Sequence, residues 1–165
     1  MANSKKSIFK NHETRLQQGV KAPKFKGIDQ NGKQISSIEF KSKKLVLYFY
    51  PEDNTPTCTV QACNLRDNFT LLKKAGIEVI GVSQDNSEKH KKFETKFSLP
   101  FRMIADTDLT VIKAYDVWGK KKFMGKIYDG IIRTTFLINE NGVIAHVINR
   151  PDTKNHSGQI LDLWK

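Results

Sequence analysis

The run "KLVLYFY", Lys44 to Tyr50, constrains the fold of this chain more than any other stretch. After its lysine it is continuously apolar, and Pro51 ends it. A strand with one wet face would alternate polar and apolar residues, so a run like this predicts a strand buried on both faces. "IEVIGVS", Ile77 to Ser83, is a second such run. Between them, "CTVQACNLRDNFTLLKKAG" spaces Ala62, Leu65, Phe69 and Leu72 by three or four residues, which predicts one amphipathic helix. Lys73 and Lys74 suit its last turn, and Gly76 closes it.

The alternation continues. "SEKHKKFETKFS" predicts a helix capped by Ser87, with Phe93 and Phe97 at helical spacing and Pro100 as its stop. "FRMIAD" predicts a short strand, and "TDLTVIKAYDV" a further helix through Leu109, Ile112 and Val117. "IIRTTFLI" and "GVIAHVI" flank the turn signal Asn141-Gly142, so they pair as a hairpin. A smaller hairpin is expected around Asn31-Gly32, and "SGQILDLWK" predicts a C-terminal helix. Strand–helix alternation implies a parallel core, and the late hairpin adds antiparallel edge strands. The expected architecture is α/β: a thioredoxin-like fold, its central mixed β-sheet flanked by helices, with an N-terminal β-hairpin. Residues 1–18 read as a polar leader, frayed or loosely docked, and 19–165 as a single domain.

No stretch approaches the apolar length of a membrane helix, and the polar N-terminus lacks the apolar core of a secretory signal. The chain is therefore expected in the cytoplasm, where thiols stay reduced. Its formal net charge of +11 raises the question of nucleic acid. The lysines, however, are spread from Lys5 to Lys165, and only "WGKKKFMGKIY", Trp118 to Tyr128, is dense and interleaved with aromatics. Weak nonspecific attraction to polyanions is expected, and no specific nucleic-acid partner.

Both cysteines lie just after the first buried strand, in "PEDNTPTCTVQACN". Cys58 falls at the start of the following helix. There, unpaired backbone N–H groups and the positive end of the helix dipole favour a thiolate, the nucleophilic form, over a thiol. In an intact helix, residues five apart sit about 140° apart around the axis, with Cα atoms roughly 8–9 Å apart. A disulfide tolerates about 7 Å at most. Cys58 and Cys63 can therefore bond only if the first turn unwinds, and the β-branched pair Thr59-Val60 makes that less costly. The spacing suits a reactive cysteine and a resolving partner joined by a conformational switch. Three other readings stay open. A metal site is disfavoured because His12, His90, His146 and His156 all lie away from the cysteines and C-x4-C is not a common zinc spacing. A disulfide oxidoreductase would be expected to carry C-x-x-C. A basic binding module would rest on charge alone.

The segment "YFYPEDNTPTCTVQACNLRDNF" resembles the active-site segment of peroxiredoxins, and more closely that of the bacterioferritin-comigratory-protein, or peroxiredoxin Q, branch. Pro51, Thr55 and Cys58 meet the frame P-x-x-x-T-x-x-C. "APKF", "GVSQDNSEKHKKF", "LPF", "AYDVWGKKKFMGK" and "GIIRTTFLIN" extend the likeness in order from Gly19 to Ile148. The resemblance implies a thiol peroxidase that acts on hydrogen peroxide and organic hydroperoxides without a cofactor or metal. It implies Cys58 as the peroxidatic cysteine, which becomes a sulfenic acid. Thr55 would direct its hydroxyl at the sulfur and the peroxide. Arg133 would hold its guanidinium over the sulfur, and Pro51 would shield the pocket. Cys63 would condense with the sulfenic acid, and a thioredoxin or similar dithiol would reduce the resulting disulfide. A monomer is expected. The family commonly has glycine just before the peroxidatic cysteine; Thr57 stands there instead, so the loop must run through ordinary φ/ψ or carry strain. A cap through the Thr57 hydroxyl is a further expectation.

Overall fold

The computed structural model describes residues 8–164. The first seven residues of the expected leader, and Lys165 of the expected last helix, lie outside the described residues. In chain order the elements are β1 (Lys26–Ile28), β2 (Gln34–Ser36), β3 (Lys44–Phe49), α1 (Pro56–Asp67), α2 (Phe69–Lys74), β4 (Ile77–Ser83), α3 (Ser87–Phe97) and β5 (Arg102–Ala105). They continue with α4 (Thr110–Ala114), β6 (Trp118–Phe123), β7 (Lys126–Ile131), β8 (Thr134–Ile138), β9 (Ile144–Ile148) and α5 (His156–Leu163).

The main sheet has the order β5-β4-β3-β8-β9. β3 pairs parallel with β4, and β4 with β5; β8 runs antiparallel to both β3 and β9. This is the expected thioredoxin-like plan, with one correction to the hairpin: only β9 is an edge. β8 lies inside the sheet against β3, which is why all five of its residues are buried. The strand read from "KLVLYFY" is central. Its alternate residues feed two cores: Leu45, Leu47 and Phe49 pack with α4, while Val46, Tyr48 and Tyr50 pack with α1, α2, α3 and α5. Each such fully buried aliphatic or aromatic side chain contributes roughly 1.5–3 kcal/mol through loss of contact with water.

Several boundaries differ from expectation for local reasons. The helix after β3 begins at Pro56, with proline in the first position, where its missing N–H costs nothing. It then pauses at Asn68, whose side-chain amide donates to Asn64 O at 2.9 Å, so two helices replace one. Asn86, not Ser87, caps α3 by accepting from Lys89 N at 2.8 Å. Phe97 is its last residue, before Ser98 in the left-handed region and well before Pro100 acts. α4 begins late, at Thr110, where the buried Asp106 carboxylate takes the first-turn N–H groups of Val111 and Ile112, at 3.1 and 2.7 Å. Thr57 lies inside α1 and has no positive φ, so the missing glycine leaves no strain there; the cap position belongs to Thr55.

The dense basic run had no secondary structure assigned from sequence. It forms a separate hairpin, β6 against β7. Its turn, Met124-Gly125, has both residues at positive φ, 50° and 79°, the geometry that two-residue hairpins favour. Within the described part of the leader, residues 12–15 are bonded to this region: His12 N donates to Lys120 O, Thr14 Oγ1 to Tyr115 O and Arg15 N to Asp116 Oδ2, at 2.9, 2.7 and 2.6 Å. Among the described residues, no helix is long and apolar enough to cross a membrane.

Candidate active site

Cys58 is the third residue of α1 and is only 2% exposed. One side of its sulfur belongs to the apolar cluster of Tyr48, Ala62 and Leu65. The other side meets Arg133, whose Nη2 donates to Sγ at 3.2 Å. Arg133 sits at the joint between β7 and β8, and its Nη1 donates to Gln61 Oε1 at 2.6 Å. Gln61 is one helical turn from Cys58, so α1 presents both acceptors to the same guanidinium. Arg133 is half-buried, and a guanidinium drawn partly out of water needs such partners, because desolvation without them is costly.

The helix mouth adds to this. The first N–H of the α1 ladder belongs to Thr59, which donates to Thr55 O at 2.9 Å. The N–H groups of Thr57 and Cys58 precede the ladder and face the mouth. Thr55 is the N-cap residue, with extended backbone at φ −84° and ψ 155°. Its hydroxyl donates to Glu52 O at 2.9 Å, within the loop rather than toward the sulfur. Pro51 is half-buried at the end of β3. Cys63 is half-buried in the same intact α1, and both thiols are free.

Two sets of contacts that sequence reasoning missed clamp the ends of this segment. Before it, the fully buried Asp53 accepts from Tyr50 Oη at 2.5 Å and pairs with His90 Nδ1 at 2.6 Å. His90 Nε2 faces Ile104 O at 2.9 Å, so that nitrogen carries a proton. Asp53 N donates to Asp85 Oδ2, which also accepts from Ser83, while Lys89 pairs with Asp85 Oδ1. Burial alone would raise the Asp85 carboxyl, but the N–H of Asp53 together with Lys89 and Ser83 outweighs it and holds the group below the usual carboxylate range. Asp53, Asp85 and His90 are close enough to share a metal ion, yet Lys89 already supplies the cation and the hydroxyls of Tyr50 and Ser83 use further oxygen capacity. The donor set fits a hydrogen-bonded clamp better than a metal centre.

After the segment, Asn64 accepts from Ser157 N at 2.8 Å and donates to Lys154 O at 3.1 Å, fastening α1 to the start of α5. Beside it, His156 is fully buried between Thr135 Oγ1 and Gln159 Oε1, each at 2.9 Å. Burial, with Arg133 nearby, pushes His156 down to about 4 against the opposing bond to Gln159. The unfolded chain therefore binds this proton at higher pH than the native one does. The stabilising contribution is fully present above about pH 6.5 and is lost as pH falls toward 4, on the order of 3 kcal/mol at most. Urea denaturation across that range should show wild type losing more stability than His156→Gln. Parallel losses in the two proteins would contradict this.

A thiol held under a guanidinium at a helix mouth, on this sheet, is what a cysteine-based redox enzyme requires. The chain belongs to the AhpC/TSA family, whose model matches residues 18–147. It is 47% identical to peroxiredoxin Bcp of Escherichia coli over 150 residues, 91% of this chain and 96% of that protein. It is 40% identical to peroxiredoxin Bcp of Bacillus subtilis over 147 residues, 89% of this chain and 94% of that one. Among solved structures, a cysteine-to-serine mutant of Xanthomonas campestris peroxiredoxin Q superposes with a TM-score of 0.79 at 29% identity, covering 85% of this chain and 89% of the other. A Xylella fastidiosa PrxQ mutant gives 0.84 at 25% identity, covering 91% and 96%. The enzyme class is thus that of a thiol-dependent peroxidase of the peroxiredoxin type.

Proposed function

We propose that this chain reduces hydrogen peroxide and organic hydroperoxides through Cys58, and that Cys63 resolves the oxidised sulfur. The observation that carries the reading is the 3.2 Å contact of Arg133 Nη2 with Cys58 Sγ. The thiolate attacks one peroxide oxygen, the O–O bond breaks, and the leaving oxygen departs as water or an alcohol after taking a proton. Cys58 is left as sulfenic acid. Arg133 holds the thiolate and then the charge moving onto the leaving oxygen, assisted by the N–H groups of Thr57 and Cys58. Thr55 sets the loop through Glu52 O, and a side-chain rotation turns its hydroxyl to the peroxide. Pro51 keeps bulk water from the sulfenic acid.

The Cys63 thiol then attacks the sulfenic sulfur, water leaves, and an intramolecular disulfide forms. Both cysteines lie in one intact helix, so this step requires α1 to unwind. The clamps at Asp53 and Asn64 confine the unwinding to the residues between them. A thioredoxin-like dithiol reduces the disulfide by exchange. Free thiols of this kind persist in the cytoplasm, the compartment assigned here, and the working unit is a monomer.

Arg133→Ala tests the reading. Stopped-flow peroxide consumption should slow by about 10²–10³-fold at neutral pH, the usual cost of losing one donor to a developing oxyanion. The pH–rate profile should also move to higher pH. An unchanged profile would remove Arg133 from its role.

A further inference from the structure

The hairpin β6–β7 is a large element that the chemistry above leaves unused, and one of its lysines is placed unlike the rest. Gly119 and Gly130 face each other across it, so the ribbon is thin at that point. On Gly119 lies the His12 ring; a Cβ there would come within 2.5 Å of it. Over Gly130 runs the stem of Lys121, whose Cδ would be 3.2 Å from a Cβ at that position. The ammonium lies 6.0 Å from the centroid of the Tyr128 ring and donates to Ile131 O at 2.7 Å, two residues before Arg133.

Lys121 is half-buried, and among the described residues no carboxylate pairs with it; the neighbouring Lys120 takes Asp129. A desolvated ammonium whose one hydrogen-bond acceptor is a neutral carbonyl is under-compensated. Lys121 and Arg133 line the same cavity of about 840 Å³, with Lys10, Lys122 and Arg150 against one acid, Glu13. Burial lowers the proton affinity of Lys121, Arg133 lowers it further, and negative charge on Cys58 raises it. That last coupling is reciprocal: what the thiolate does for Lys121, Lys121 does for the thiolate.

We propose that Lys121 is a second cation of the peroxidatic site, a positioning residue that fixes the Ile131–Arg133 joint and stabilises the Cys58 thiolate from across the hairpin. The proposal rests on the reading of Cys58 given above. With one thiolate and two cations, the site keeps a net positive charge as the anion moves from sulfur to the leaving oxygen. Other groups that could imitate the effect are few. Arg133 and Tyr48 interact electrostatically with Cys58, Cys63 lies five residues along the same helix, and His156 is held neutral. Tyr128, Lys122, Lys10, Arg150, His12 and Glu13 surround Lys121 or its cavity.

The test titrates the thiolate by its ultraviolet absorbance in a Cys63→Ser background, a readout that needs no turnover. Lys121→Met should raise the midpoint by about half a unit, less than the roughly 1–3 units of a directly paired cation. Lys121→Gln should repeat that shift, Lys121→Arg should restore the parent value, and Lys120→Met on the same strand should leave it in place. At pH below the midpoint, Lys121→Met should also slow peroxide consumption about threefold, the kinetic equivalent of that shift. A Lys121→Met midpoint equal to the parent's, an Arg variant shifted as far as the Met variant, or an equal shift from Lys120→Met would each overturn the proposal. A parent protein that titrates as expected but does not consume peroxide would overturn the proposed function and not the role of Lys121.

Discussion

Replacing Cys58 by serine is expected to reduce peroxide consumption by roughly 10⁴-fold or more, to the background rate. Losses of that order follow when the nucleophile of a covalent mechanism is removed. The expectation is stronger here than for an arbitrary buried cysteine. Cys58 is one of two thiols, and Arg133 and the mouth of α1 are both directed at its sulfur. Serine is close in volume and keeps a hydrogen-bond acceptor for Arg133 Nη2, so the fold should survive. Matching circular dichroism and melting curves, beside lost activity, would assign the effect to chemistry. A Cys58→Ser protein that still consumed peroxide at a tenth of the parent rate would show that the sulfur of Cys58 is not the attacking atom.

Replacing Cys63 by serine should separate the two halves of the cycle. The first, single-turnover reduction of peroxide should remain fast, because Cys63 makes no contact in the proposed attack. Recycling by thioredoxin should fall to a small fraction of the parent rate, since the reductant would meet a sulfenic acid rather than a disulfide. The variant should also inactivate faster under excess peroxide, as the sulfenic acid persists long enough for a second oxidation. Normal thioredoxin-driven turnover by Cys63→Ser would contradict the intramolecular step.

Much of this site was legible in the sequence because it follows from short-range rules. A doubly buried strand, a proline, a helix start and a cysteine in its first turn are adjacent in the chain, so Cys58 could be placed at a helix mouth without knowing the tertiary structure. Gln61 could have been found by the same reasoning, since three residues along a helix return to one face. Arg133 is seventy-five residues away, and its pairing with Cys58 came from the resemblance and from the cost of an inward arginine. The clamps were not legible. Asp53 and His90 meet only because parallel pairing of β3 and β4 sets the loop after one beside the helix after the other. Asn64 reads as an ordinary helical polar residue until α5 packs on it.

The hairpin β6–β7 was missed for another reason. Its first strand is lysine-rich, both strands are mostly exposed or half-exposed with no apolar alternation to reveal them, and its turn is Met-Gly rather than Asn-Gly. The same composition hid Lys121 among its neighbours; it is set apart by the bare Gly130 beneath it, which no local rule connects to Cys58. The contacts of His12, Thr14 and Arg15 were not legible either, because their partners, Tyr115, Asp116 and Lys120, lie about a hundred residues on.

The most direct test mixes the fully reduced protein with one equivalent of hydrogen peroxide in a stopped-flow instrument and weighs the product. Rapid consumption of that equivalent, yielding a protein lighter by two hydrogens and a Cys58–Cys63 cross-linked peptide, is the result this mechanism predicts. Peroxide left unconsumed, or a product that gains one oxygen and never forms the cross-link, would contradict it.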